Sequence, residues 1–338
     1  MKLLLLAILL APTAHTLCQE APNQPSDTSY YKSYTNLITA RYFFSQKYTS
    51  ITVQGKTTGD RLQYRPNTNL NMGVGFTYGW FTLNLAFTFP LLNSGDEEKP
   101  ETKYLDLQSH IYTSKFIVDV VANRYRGYYL APKGTASPEG SDYYQRPDMK
   151  VWHIGVSGYK VLNWKKYSFR AAMQQNEWQQ KSAGSILVGA EIYYGRLRTD
   201  SSIIPKTFQE NFDQNDITSV RAIDIGPGAG YAYTLVLSKS FYLMGSATCT
   251  LPLDWITEYR SKGSESNVSV GPNLSYRASA GYNTPRWGVS ALWVNNRIKS
   301  RGASGPYQVQ TGNVRLNLIY RFEPGPRLKR KIRIFSFD

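Results

Sequence analysis

The chain has 338 residues, with 39 Lys and Arg against 24 Asp and Glu, for a formal charge of +15. Its mean hydropathy is negative, and beyond the first residues no run of 18 apolar residues occurs, which excludes a helical membrane protein. Apart from the C-terminal tail the basic residues are dispersed, which argues against the usual nucleic-acid signature; they read first as solvated loops and barrel interior, and as partners point to lipid headgroups, lipopolysaccharide included, or anionic solutes.

Lys2 and the apolar run from Leu3 to Ala11 form a secretory signal, with small residues at Thr16 and Cys18 placing cleavage before Gln19. Residues 1–18 therefore read as signal, and Leu17 argues against Cys18 as a lipid acceptor. Cleavage leaves Cys249 alone, so no internal disulfide forms, and Cys249 reads as a small apolar filler. Residues 19–36 are polar and Pro-containing and predict a mobile leading segment. Residues 37–65 alternate poorly and predict either one or two strands or a plug folded inside.

From Asn67 the pattern is clean. Leu70, Met72, Val74, Phe76 and Tyr78 share one face, a turn follows at Gly79, and Phe81, Leu83, Leu85, Phe87 and Phe89 share the next. Successive strand side chains point to opposite sides, so this is a hairpin with one apolar face and one small, polar face. The same grammar predicts strands near 102–112, 115–130, 147–162, 166–180, 184–197, 218–237, 240–253, 265–282, 286–300 and 306–322. With the first hairpin they make about twelve, an even count that suits a bacterial barrel. The final run, Asn313 to Phe322, alternates and ends on an aromatic, the form of a last strand that barrel-assembly machinery reads. Residues 323–338 form a basic tail with Arg327, Lys329, Arg330, Lys331 and Arg333. Short and long connections alternate from Gly79 to a tight turn at Asn163–Lys165, then slip by one between Tyr167 and Leu237. Either a strand is misassigned there or a long connection lies on the unexpected side.

The expected fold is thus all-β: a transmembrane antiparallel up-and-down β-barrel over residues 37–322. The faces distinguish it from a soluble barrel. In the clearest strands the outward faces carry no charge, and a charge at the bilayer midplane would cost roughly 2–4 kcal/mol. Tyr78, Phe89, Tyr194, Trp287 and Trp293 suit interfacial girdles. The segments LQYRPNTNLNMGVGFTY (62–78), NEWQQKSAGSILVG (176–189), DSSIIP (200–205), GAGYAYTLVLSKSFYL (228–243) and the terminal YRF (320–322) resemble the outer-membrane proteins of Bacteroidetes-type bacteria grouped as domain of unknown function 4421. That resemblance implies an outer-membrane barrel and carries no activity or site residue. The tail beyond Phe322 departs from an ending on the aromatic, so either Phe322 or Phe337 closes the final strand.

Candidate chemistry is sparse. His153, Ser157 and Asp106 could be imagined as a base, nucleophile and acid, but spacing supports only shared faces. His110 and His153 have no close ligand partner, so neither a metal nor another cofactor is expected. The GPGAG run at 226–230 lacks the Lys-Ser/Thr of a phosphate loop and reads as relief of strand curvature. The interior remains: Asp106, His110, Asp119, His153, Arg170, Glu177, Glu191, Arg277, Arg315 and Arg321 fall on inward faces. Such charges either select solutes in an open pore or pair across the barrel and close it. The expected role is a non-enzymatic solute channel or envelope scaffold, with no specific protein partner legible. The alternatives are a lipid-modifying outer-membrane enzyme and a secreted soluble β-protein that binds a ligand.

Overall fold

The computed structural model describes residues 26–88, 99–137 and 142–332. The signal, residues 19–25 of the leading segment, Phe89, Arg333 and Phe337 lie outside these. The chain opens with a short strand β1 (Tyr31–Ser33) and enters the wall at β2 (Ile38–Gln54). It returns along β2 as β3 (Arg61–Arg65) and β4 (Asn71–Tyr78), then continues through β5 (Phe81–Thr88), β6 (Lys103–Tyr112), β7 (Phe116–Ala131) and β8 (Gln145–Val161). A segment containing helix α1 (Phe169–Met173) and β9 (Glu177–Gln179) interrupts the wall. The wall resumes with β10 (Ala183–Arg198), β11 (Ile217–Val236), β12 (Phe241–Thr250), β13 (Leu253–Arg260), β14 (Ser264–Val270), β15 (Asn273–Asn283), β16 (Trp287–Arg301) and β17 (Pro306–Phe322). Helix α2 (Pro326–Ile332) follows.

Every pairing is antiparallel, and ten strands form a closed ring in the order β10-β8-β7-β3-β2-β17-β16-β15-β12-β11, with β11 returning to β10. The β4–β5 hairpin and β6 hang from β2 and β7, and the β13–β14 hairpin hangs from β11. Because β3 and β4 follow one line along β2, β12 and β13 one line along β11, and β14 and β15 one line along β13 and β12, the chain crosses the wall about twelve times.

The members of that set differ from the runs counted in the sequence in two places. Residues 38–54 and 61–65 form two strands, one of the alternatives left open for residues 37–65, and alternation there is poor because Phe43, Ile51 and Val53 point inward into apolar packing. Residues 166–180 form no wall strand; their apparent alternation comes from a helix and a short strand folded into the lumen. The connection expected to be a tight turn at Asn163–Lys165 is in fact this long insertion. It lies at the end holding both chain termini (the terminal end), which accounts for the slip in loop alternation. The other terminal-end turns are short, and at Gly79 φ is +57°, a left-handed backbone that favours glycine. Phe322 ends β17 and pairs with Ile38, so the final strand closes on the first. The GPGAG run sits inside β11, where its partner changes from β13 to β12, with no helix following.

The wall is apolar outside, and its inner face is polar between the two ends. Phe87 is 62% exposed and Leu316 55%, and exposed large apolar side chains recur on the outward faces of strands around the barrel. Trp287 and Trp293 lie on that outer surface, whereas Tyr78 is buried. Cys249 is exposed on it as well rather than filling the interior. A soluble barrel would invert this distribution, so the molecule is a membrane-type β-barrel.

Candidate functional site

The interior has three layers. At the terminal end, Tyr112, Tyr159, Tyr167, Phe169, Leu187 and Tyr242 pack into an apolar cluster. At the loop end a second cluster includes Tyr64, Tyr125, Met149, Ile203, Ile204 and Phe212. Polar and charged side chains fill the space between.

Residues 162–182 build the terminal seal. Ser168 caps α1 by accepting from the Ala171 amide at 3.0 Å and donates to Glu177, which also pairs with Arg170. β9 pairs with β1, so the leading segment is drawn into the same unit. Burial, with Glu177 nearby, pushes the Tyr31 phenol up to about 12, so it stays a neutral donor to the Trp164 carbonyl, 3.0 Å away. Two wall arginines fasten the insert through backbone carbonyls. Arg41 donates to Gln174 O at 3.1 Å, and Arg321 Nε donates to Gln175 O at 2.8 Å. Gln175 has φ +54°, a costly conformation for a residue with a side chain, and it is held by these contacts.

The loop seal is the connection 199–216. Arg146 holds Asp148 at 2.8 Å and donates to Ser202 O at 2.7 Å, while Asp148 accepts from the Asp200 amide at 3.0 Å. Tyr64 donates to Ile203 O, and Ile203 and Ile204 are buried among the cluster.

The middle layer is tied across the lumen. Asp119 on β7 pairs with Arg277 on β15, both almost fully buried, and these strands are not neighbours in the wall. Asp119 also contacts His110 Nδ1 at 2.5 Å and accepts from the Tyr112 hydroxyl at 3.2 Å. Glu191 on β10 accepts from Asn273 on β15 at 2.9 Å. Asp106 accepts from Tyr125 at 2.5 Å and meets Lys47 at 3.4 Å. Asp119 and Asp106 each face a cation and accept hydrogen bonds, which compensates their buried charge, whereas Glu191 is held by a neutral amide.

Of the residues singled out by sequence, Asp106, His110, Asp119, Glu191 and Arg277 join this network. Arg170 and Glu177 belong to the insert rather than to a wall strand, and Arg321 fastens it. His153 is buried and stacked on Tyr193 with ring centroids 5.1 Å apart, and neither ring nitrogen has a hydrogen-bond partner. With Asp106 engaged by Tyr125, Lys47 and Gln108, the His153–Ser157–Asp106 trio is not assembled. Arg315 stacks on the Phe43 ring at 4.5 Å and makes no hydrogen bond or ion pair among the described residues. Sequence reasoning missed Arg41, Lys47, Gln174 and Gln175. The period-two placement of Arg41, Phe43, Ser45 and Lys47 was the available signal, obscured by the inward Phe43. Among the described residues no cluster of three or more His, Cys, Asp or Glu side chains could hold a metal ion.

Similar solved structures are outer-membrane barrels. The outer membrane protease OmpT of Escherichia coli is 13% identical, with 85% of this chain and 97% of that chain covered and a TM-score of 0.39. The translocator domain of the autotransporter NalP from Neisseria meningitidis is 8% identical, with 94% and 95% covered and a TM-score of 0.36. The COG4313 outer membrane channel from Pseudomonas putida F1 is 6% identical, with 90% and 100% covered and a TM-score of 0.27. No curated protein matches the chain. Residues 25–322 match the model of the domain of unknown function DUF4421, and the chain belongs to that family.

Proposed function

We propose that the protein is an outer-membrane barrel that serves as an envelope scaffold and conducts no solute along its axis. The observation that carries this reading is the filling of both lumen ends by the chain's own segments, 162–182 and 199–216, each fastened to the wall by hydrogen bonds. The outward apolar belt supports a membrane location, and the leading secretory signal in the sequence supports export to the outer membrane. β17, with its terminal aromatic Phe322, is the strand that assembly machinery would take. Scattered interior carboxylates and an unassembled His153 trio favour a structural interior over catalysis.

Refolded full-length protein in a planar bilayer tests the reading, once a heat-sensitive gel shift has shown that it is folded. Silence at moderate voltage is the expected result. Discrete conductance steps that change on Arg277→Gln would overturn it and make the interior charges a selectivity filter.

A further inference from the structure

Among the described residues β5 pairs only with β4, and β6 only with β7. Above them, toward the loop end, β3 pairs directly with β7 from Gln63↔Ala131 to Arg65↔Tyr129 and completes the ring. Below lie the tight turns after β4 and β6. Between β5 and β6 no ladder joins the described residues, which leaves a window in the wall. It stands within the lipid-facing belt, because Leu85 and Phe87 on one rim and Leu105 and Leu107 on the other are exposed on the outer surface.

Several inward-facing side chains are exposed here, although the Asp106 and Asp119 side chains beside them are buried. On β5, Ala86 and Thr88 are exposed although they face inward. Behind the window the His110 and Lys47 side chains keep 25% and 21% exposure, whereas across the lumen Arg277 keeps 2%. Three cations stand behind the window, Arg41 buried and Lys47 and Arg315 partly exposed. Arg41 reaches the β5 side through Asn84 at 3.4 Å, and Lys47 reaches the β6 side through Asp106 O at 3.1 Å. Arg315, opposite Ser45 in the register and half-buried, lies between them. Only Lys47 meets a carboxylate. Arg41 donates to neutral oxygens, and Arg315 has no polar partner among the described residues.

We propose that this window admits a lipid with a net-anionic phosphate headgroup from the membrane. Its headgroup enters the polar interior at Arg41, Lys47 and Arg315, and its hydrocarbon chains stay outside against Leu85 and Leu107. Guanidinium groups suit phosphate oxygens through paired N–H donors, and a surplus of cations behind an apolar rim matches a molecule with an anionic head and apolar tails. A strand from another protein fits less well. Two β6 carbonyls that such a strand would need, Asp106 and His110, already accept from Lys47 at 3.1 Å and Gln174 at 3.5 Å. The proposal rests on the membrane location but not on the sealed lumen, so conductance and lipid binding can fail separately.

Native mass spectrometry of the full-length protein, released from detergent after titration with dimyristoyl phosphatidic acid, tests it. Dimyristoyl phosphatidylcholine, myristate and inorganic phosphate serve as comparison ligands. We expect one retained phosphatidic acid, bound roughly tenfold or more tighter than any comparison ligand. Arg315→Gln should lower that affinity roughly tenfold, while Arg315→Lys, which keeps the charge, should retain most of it. Ala86→Trp, which leaves the cations untouched, should weaken lipid binding by obstructing the opening, with the gel shift reporting that each variant is folded. Equal retention of phosphatidylcholine, myristate or inorganic phosphate would overturn the assignment, as would folded Arg315→Gln and Ala86→Trp variants that bind like the parent.

Discussion

The wall around β8, β10 and β11 and the wall around β5 and β6 share one outward chemistry but differ in closure. β10 is paired along its whole length with β11, from Ala183↔Thr234 to Arg198↔Ser219, and with β8 from Leu187 to Arg198. Behind it Ser157, Glu191 and Asp224 are buried. β5 and β6 carry equally apolar outer faces, yet their inner neighbours remain open. Alternation therefore makes a strand fit for lipid, but only continuous pairing makes a wall tight. In hydrocarbon an unpaired backbone group is costly, and the interior supplies part of the compensation at β6 from Lys47 and Gln174.

The largest expected effect breaks the closed side. Arg277→Ala leaves Asp119 buried without its cation and should cost about 3–5 kcal/mol, read as a lower urea midpoint in tryptophan fluorescence of the protein in lipid. The double change Arg277→Met with Asp119→Leu should recover much of that loss, and no recovery would mean that the pair is not the brace described. A smaller effect is expected at the terminal seal. Arg321→Gln removes charged donors from the Gln175 and Thr284 carbonyls and should cost about 1.5–3 kcal/mol. Protease cleavage within 162–182 should become faster than elsewhere, and an unchanged digestion pattern would contradict the role of Arg321 as its fastener. The smallest effect sharpens the contrast. Ala86→Leu faces inward on β5 yet should change stability by less than about 0.5 kcal/mol, because the added side chain meets open space at the gap. Ser157→Leu, inward on the closed side, should be far more destabilising, and equal effects at the two positions would erase the distinction.

Much of the barrel was legible because a lipid-facing strand must alternate. The β4–β5 hairpin, the two faces of β17 and the inward faces of β6, β7 and β15 follow from period two alone. The same rule misled where the interior is not uniformly polar. Ile51 and Val53 point into the loop-end cluster and blur β2, while Tyr167, Phe169, Ala171 and Met173 imitate a strand although the last three lie in a one-turn helix. The resemblance segments also gain a physical meaning. DSSIIP supplies Ile203 and Ile204 to one seal, and NEWQQ supplies Glu177 and Gln179 to the other.

The sequence by itself determined the all-β class, the apolar exterior, the charged interior and the closing role of the last strand, since each depends on neighbours two residues apart. Tertiary structure alone decided that Asp119 meets Arg277 across the lumen, that Arg41 and Arg321 fasten an insert, and that β5 and β6 stay apart. Those outcomes depend on which strands become neighbours around a ring and on where a long connection folds. Local periodicity fixes the face of a side chain but not the partner it finds on the far side of a barrel.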